Sequence, residues 1–392
     1  MVYKRVILKR GKEESLKRFH PWVFSGAIAR MDNIEEGDLV TVYDHEGNLI
    51  GNGHYQIGSI AVRILTFDDT EIDSAFFVKR LTEAYKMRQA LGLSRPDNNA
   101  FRLVHGEGDF LPGLVVDIYG STAVMQAHSP GMHFARNLIA DALTQLPNGV
   151  VKNVYYKSET TLPYKAQLDP QNEYIVGVYD TDVAMENGLK FHVDWLRGQK
   201  TGFFVDQREN RSLLEHYATG RKVLNMFCYT GGFSFYALRG GAELVHSVDS
   251  SAKAISLTDA NVELNFPNCE RHKSFAVDAF KYLDEMGSDY DLIVLDPPAF
   301  AKHKSALRNA LIGYRKLNAK AFEKIKPGGI LFTFSCSQAV NKEQFRLAVC
   351  RAAEMPRRKV RILHQLTQPA DHPINIFHPE GEYLKGLVLY VE

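Results

Sequence analysis

The chain has 392 residues, 47 Lys and Arg against 46 Asp and Glu, and therefore a formal net charge of +1, with 45% hydrophobic and 24% charged residues. That length predicts two or three domains, and the composition excludes collagen-like, disordered and disulfide-scaffold classes. It also excludes a uniformly basic nucleic-acid binder, although the total is silent on how charge is distributed along the chain.

The N-terminus from Met1 to Phe19 is broken by charge every few residues and has no apolar signal core, and no run reaches the length of a membrane span. Cys228, Cys269, Cys336 and Cys350 form no CxxC pair, which points to a reducing compartment. The expectation is a cytoplasmic protein with no membrane partner. Residues 1 to about 70 read as short alternating strands separated by Gly- and Asp-containing turns, as in a small β-barrel or sandwich. Helical periodicity over 74–98 ends at Gly92 and Pro96. Residues 101–186 alternate strand-like runs with one helical segment near 133–146, a small α+β module. From about residue 200 strand and helix alternate to the end, which predicts a mostly parallel, doubly wound sheet.

Ligands in such sheets bind beyond the carboxyl ends of the strands, so those ends carry the chemistry. The first runs through Asn225–Cys228 into Tyr229-Thr230-Gly231-Gly232, a turn in which backbone can approach a ligand closely. The second ends at Asp249, which suits either ribose hydroxyls or a helix N-cap, and Asp278 at the third has the same two readings. At the fourth, Asp296-Pro297-Pro298-Ala299-Phe300 stiffens the chain directly after an acid, which an ordinary connecting turn does not need. The fifth ends in Ser335-Cys336-Ser337. A cysteine in a strand is usually inert packing, but strands four and five are usually neighbours, so Cys336 and Asp296 are expected to share one site with the Gly231–Gly232 turn. No HExxH is present and Cys269 with His272 is an isolated pair, so no metal is expected. Cys228 and Cys350 read as packing residues.

These features resemble class I S-adenosylmethionine-dependent methyltransferases, and more narrowly bacterial 23S ribosomal RNA cytosine-5 methyltransferases with an N-terminal PUA domain. The matching stretches are HPWVFSGAI at 20–28, RLVHGEGDFLPGLVVDIYG at 102–120, ENG at 186–188, GQKTGFFVDQRENR at 198–211, LNMFCYTGGFSFYA at 224–237, LDPPAF at 295–300, FSCS at 334–337 and PEGEYLKG at 379–386. The resemblance implies an α/β protein with a PUA β-barrel over 1–72, a central α+β module over 73–186 and a Rossmann-like methyltransferase sheet over 187–392. It implies S-adenosylmethionine as cofactor and 23S ribosomal RNA as partner, and makes a homodimer plausible.

The same resemblance assigns roles. Asn225, Phe227, Tyr229 and Gly231 would cradle the methionine part of the cofactor, Asp249 would bind the ribose, and Asp278 would meet the adenine amino group. Phe203 and Gln207 would help wall that site, with Asp296 and Pro297 at its edge. One departure is visible: the acidic residue and first two glycines of the general pattern are replaced by Asn225, Phe227 and Tyr229. Cys336 as thiolate would add to C6 of cytosine and make C5 nucleophilic, while Asp296 would hydrogen-bond the N3/N4 edge. Phe300 would pack against the unstacked base. A nearby cation is expected to lower the thiol pKa, and the sequence places candidates at 302–326, where eight basic residues face only Glu323. There Lys302, Lys304 and Arg308 are expected to meet the RNA backbone. Residues 4–18 form a second basic run, seven against two.

Three other readings stand beside this one. Transfer to a guanine or adenine nitrogen needs the acid-Pro-Pro turn but no thiol. A non-catalytic RNA-binding assembly factor would need neither Asp296 nor Cys336. A nicotinamide-dependent oxidoreductase would want GxGxxG after the first strand, which Asn225–Gly232 does not supply.

Overall fold

The computed structural model describes residues 3–301 and 303–392, the Lys304 side chain excepted. It divides into two compact units. The first runs to Gly188 and takes in Val193–Val205 and Ala370–Gly381; the second comprises Leu189–His192, Asp206–Pro369 and Glu382–Glu392.

The first unit opens with β1 (Lys4–Leu8), α1 (Glu14–Lys17), β2 (Trp22–Phe24), β3 (Ile28–Met31), β4 (Leu39–Tyr43), β5 (Leu49–Tyr55) and β6 (Ile60–Thr66). Its six strands pair in the order β2-β6-β5-β4-β1-β3. Alternate positions such as Val6, Leu8, Val40, Val42, Val62 and Ile64 build a core of their own. β6 lies so close to β5 that a Cβ on Gly53 would come within 2.1 Å of the Arg63 carbonyl oxygen, so only glycine fits there.

α2 (Ser74–Ala90) follows, its first turn capped by the Asp73 carboxylate, which accepts the Phe76 amide. Phe76, Phe77 and Leu81 turn inward onto a second sheet. That sheet contains β7 (Ala100–His105), β8 (Leu114–Tyr119), β9 (Thr122–Ala127), β10 (Asn153–Tyr156) and β11 (Glu173–Val176), ordered β11-β10-β9-β8-β7. β9 and β10 are its only parallel pair among the described strands, and α3 (Pro130–Phe134) and α4 (Arg136–Thr144) form the crossover that a parallel pair requires. Ala370–Gly381 is bound into this unit through Arg88, fully buried, which pairs with the Asp109 carboxylate and donates to the Asp371 carbonyl at 2.8 Å. β12 (Val183–Glu186) completes the unit.

The second unit contains β13 (Leu189–His192), α5 (Arg208–Tyr217), β14 (Lys222–Met226), α6 (Gly232–Arg239), β15 (Leu244–Asp249), α7 (Ala252–Asn265), β16 (His272–Ala276), α8 (Ala279–Glu285), β17 (Leu292–Leu295), α9 (Leu307–Lys324), β18 (Gly329–Ser335), α10 (Lys342–Glu354), β19 (Val360–Leu366) and β20 (Lys385–Val391). Seven strands pair in the order β16-β15-β14-β17-β18-β20-β19; the first five are parallel, and β20 is antiparallel to both its neighbours, β18 and β19. The strand–helix alternation of the sequence therefore folds into the doubly wound sheet it predicted. β17 and β18 are buried at every position, as strands covered on both faces must be. The chain steps outward from β14 through β15 and β16, then returns to the other side with β17 and β18. The carboxyl ends of β14 and β17 thus meet at the switch point, where a doubly wound sheet opens its ligand crevice.

Candidate active site at the sheet switch point

The turn after β14 is wound more tightly than its residue types favour. Phe227, Tyr229 and Gly231 have φ of 57°, 49° and 86°. Non-glycine residues in that region are uncommon and cost of order 1–2 kcal/mol each. The glycine-like backbone path is therefore kept where the glycines of the general pattern are absent. Surrounding bonds hold it: the Tyr229 amide donates to Asp249 Oδ2 at 3.0 Å and the Thr258 hydroxyl to the Tyr229 carbonyl at 2.9 Å. Below the turn, Asn225 Nδ2 donates to Ser234 Oγ at 2.9 Å, and Ser234 continues to Ser247 and His272. Asn225 Oδ1 is buried with no hydrogen-bond partner among the described residues.

Asp249 is half-buried, and its carboxylate accepts the amides of Tyr229 and Ser251. The N-cap of α7 is Ser251, so Asp249 is not the helix cap that remained open on sequence grounds. A carboxylate has about four acceptor sites, so capacity for two hydroxyls remains. Asp278 is exposed and does cap α8, accepting the Lys281 amide at 3.0 Å. Gln207 is buried at the start of α5, where its Oε1 accepts from Asn210. Phe203 is buried too, but it belongs to the first unit.

β17 and β18 pair directly, Leu295 opposite Thr333, so Asp296 and Cys336 leave adjacent strand ends. The Cys336 thiol lies 4.0 Å from the Pro297 carbonyl oxygen, in contact with the turn that begins at Asp296. Ser337 Oγ fastens that turn, accepting the Ala301 amide at 3.3 Å and bonding to Tyr314 Oη at 2.9 Å. Phe300 is half-buried, its ring 4.6 Å from that of Tyr314. Cys228 is buried and burial pushes its thiol up, in keeping with packing rather than reactivity.

The run 302–326 led to the expectation of a cation beside Cys336; among the described residues, Lys385 is bonded to the strand end that carries Cys336. It is 5% exposed and donates to the carbonyls of Ser337 and Tyr383 at 2.6 and 2.7 Å. Only its place in PEGEYLKG marked it in the sequence. Much of the basic run is engaged elsewhere. Lys320 pairs with Asp284 at 2.6 Å, Lys324 donates to the Met286 carbonyl at 2.8 Å and Lys326 meets Asp291 at 3.2 Å. Arg308 and Lys316 are exposed on α9. Lys302 and the Lys304 side chain lie outside the described residues. The N-terminal run is thinned likewise, Lys4 pairing with Asp38 and Lys9 bonding the Gly26 carbonyl.

In the first unit, His20, His378 and Glu380 bring one ligand atom each within 4.8 Å of one another. His20 Nδ1 accepts the Trp22 amide at 3.3 Å, which leaves Nε2 as the protonated nitrogen.

A family model for S-adenosylmethionine-dependent methyltransferases matches residues 131–378, and one for PUA-like domains matches residues 6–67. The chain belongs to the S-adenosylmethionine-dependent methyltransferase family. It is 42% identical over 393 residues to "Ribosomal RNA large subunit methyltransferase I" of Tolumonas auensis, with 98% of each chain covered, and 38% identical to the protein of that name from Escherichia coli, with 99% covered. Among solved structures, a SAM-dependent methyltransferase from Streptococcus mutans superposes with a TM-score of 0.83 at 22% identity over the whole of both chains. A methyltransferase complexed with SAH gives a TM-score of 0.85 at 23% identity, again over both whole chains.

The site of this methyltransferase fits its cofactor, S-adenosylmethionine. The buried, unpartnered Asn225 Oδ1 is an acceptor suited to an ammonium group, such as that of the cofactor's methionine part. The left-handed turn from Phe227 to Gly231 and the remaining capacity of Asp249 lie beside it. Among the described residues no helix is long and apolar enough to cross a membrane.

Proposed function

We propose that this protein methylates C5 of a cytosine in 23S ribosomal RNA, with Cys336 as nucleophile and Asp296 as the residue that orients the base. The observation that carries the reading is the Cys336 thiol 4.0 Å from the Pro297 carbonyl, a thiol beside the acid-Pro-Pro turn. The ribosomal target is supported by relatives named ribosomal RNA large subunit methyltransferase I that match over nearly the full chain.

Cytosine C5 is too weak a nucleophile to be methylated unaided, and Cys336 answers that need. Its thiolate forms a bond to C6, and the ring electrons move to C5, while Asp296 holds the N3/N4 edge as charge develops there. S-adenosylmethionine, when bound, supplies an electrophilic methyl group. Loss of the C5 proton to a base then restores the double bond as the C6–S bond breaks and Cys336 leaves as thiolate. Asn225, Phe227, Tyr229, Gly231, Asp249 and Asp278 hold the cofactor in this reading, with Gln207 and Pro297 around it. Phe300 packs against the base, and Lys302, Lys304 and Arg308 meet the RNA backbone. Segment 1–72 acts with segment 73–186 to position the RNA for segment 187–392.

Transfer to a ring or exocyclic nitrogen needs no thiol, so nucleoside mass spectrometry of 23S ribosomal RNA separates the two. Cells lacking the protein are expected to lose one 5-methylcytidine. An unchanged cytidine pattern with one methylated guanosine or adenosine missing would overturn the proposal.

A further inference from the structure

We propose that Lys385 holds Cys336 as a thiolate, in a buried ammonium–thiolate pair that exists before RNA binds. The inference rests on the nucleophilic reading of Cys336 and names the residue that activates it.

The antiparallel pairing of β18 with β20 sets Lys385 opposite Ser335, one residue short of Cys336. From there Nζ donates to the Ser337 and Tyr383 carbonyls, tying the residue that follows Cys336 to the segment that leads into β20. Two carbonyls take two of the three donors an ammonium carries. An ammonium this deeply placed is stable only beside opposite charge. Burial outweighs every other influence and Lys385 ends at about 8; the charges that resist the fall are Cys336 first and then Glu382, while Lys342 adds to it. Lys342 is itself paired with Glu382, so that acid is already shared. Among the described residues near the site, Tyr314 bonds to Ser337, and the Tyr383 hydroxyl donates to Asp206 at 2.7 Å. Asp296 ends the neighbouring strand on the Pro297 side of the thiol.

The proton balance is simple. A Cys336 thiol beside a neutral Lys385 amine passes its proton to nitrogen, giving thiolate and ammonium, and elimination at the end of turnover returns the same thiolate. No separate base is then needed to prepare the nucleophile. A purely structural Lys385, tying strand ends through two carbonyls, would leave the thiol's titration untouched.

The test is Cys336-resolved alkylation by iodoacetamide, read by peptide mass spectrometry between pH 5 and 10 on the full chain without RNA. In the wild type the midpoint is expected at least one unit below the ordinary thiol value of about 8.5. Lys385→Met is expected to raise it by a unit or more, so that thiolate at neutral pH falls roughly tenfold, and Lys385→Arg to keep it low. Binding of S-adenosylhomocysteine reports that each variant is folded. An unchanged midpoint in folded Lys385→Met overturns the proposal. Should Lys385→Met not fold, the thiolate absorbance of the wild type minus that of Cys336→Ser gives the midpoint directly, and a value at or above about 8.5 overturns it equally. Because the titration is read without RNA, an N-methylated product would refute the cytosine-5 reading and leave this result standing.

Discussion

The Tyr229 amide donates to Oδ2 of Asp249 at 3.0 Å, so a carboxylate at the end of one strand fastens the loop that leaves its neighbour. Losing bonds to a charged acceptor costs about 1.5–3 kcal/mol, which is roughly tenfold to a hundredfold in affinity. Asp249→Asn is expected to weaken S-adenosylhomocysteine binding by at least tenfold in calorimetry. Wild-type affinity in that variant would remove Asp249 from the cofactor site.

Asp278 permits a cleaner separation of its two readings. Asn caps helices about as well as Asp, so Asp278→Asn preserves the bond to the Lys281 amide and the stability of α8. The expected result is an unchanged melting temperature with several-fold weaker cofactor binding. If both stay at wild-type values, Asp278 is a helix cap and nothing more.

Gly231 is held at φ 86°, and a Cβ there would approach the side chains of Phe235 and Thr258 to 2.7 Å. Left-handed backbone and overpacking together cost about 2–4 kcal/mol. Gly231→Ala is expected to lower the unfolding free energy by that amount and to weaken cofactor binding, both measurable by urea titration with and without S-adenosylhomocysteine. Neutral behaviour would mean that the loop can relax.

His54 gives the first unit a pH dependence. It is buried, and burial together with Arg63 pulls it from 6.5 down to about 4. The unfolded chain therefore binds a proton between these values that the folded chain does not, so stability rises with pH across pH 4–6.5 and is lost on acidification. The share of that loss that falls to His54 is about 3 kcal/mol, and His128, likewise pulled down to about 4, adds to it in the same direction. Both tryptophans, Trp22 and Trp195, lie in this unit, so their fluorescence reports its unfolding. Urea midpoints are expected to fall from pH 7 to 4, and less steeply in His54→Phe.

RNA binding is expected to depend on Lys302, Lys304 and Arg308 and not on Lys320, which pairs with Asp284. Neutralising Lys302, Lys304 and Arg308 together is expected to reduce affinity and flatten the dependence of log K on log salt by up to about 0.7–0.9 for each phosphate they no longer neutralise. Lys320, paired with Asp284, serves as the control whose replacement changes neither. Equal effects from both would place the RNA along the whole of α9.

The sheet and its chemical edge were legible because strand–helix alternation and the acid-Pro-Pro turn are local signals. Adjacency of Asp296 and Cys336 followed from the usual neighbourhood of the fourth and fifth parallel strands, which β17 and β18 obey. Lys385 was not legible as their companion, because it arrives on an antiparallel strand after a long excursion, and no periodicity encodes that pairing. Nor could composition tell that Lys320, Lys324 and Lys326 are engaged with Asp284, Met286 and Asp291. The loop was misleading in the opposite sense: Phe227 and Tyr229 look like a loss of the glycine pattern, yet their backbone keeps the left-handed turns glycine would supply. Local propensity lost there to the bonds from Asp249 and Thr258.

The covalent step is open to direct trapping. Fluorine at C5 of cytosine cannot leave as a proton does, so once the methyl is transferred, elimination is blocked and the C6–S bond persists. With S-adenosylmethionine and 23S ribosomal RNA containing 5-fluorocytidine, the wild-type protein is expected to form a denaturation-resistant protein–RNA complex whose cross-linked peptide carries Cys336, and Cys336→Ser is expected to form none. Methylation of ordinary RNA by Cys336→Ser, or a trapped complex joined through another residue, would contradict the account.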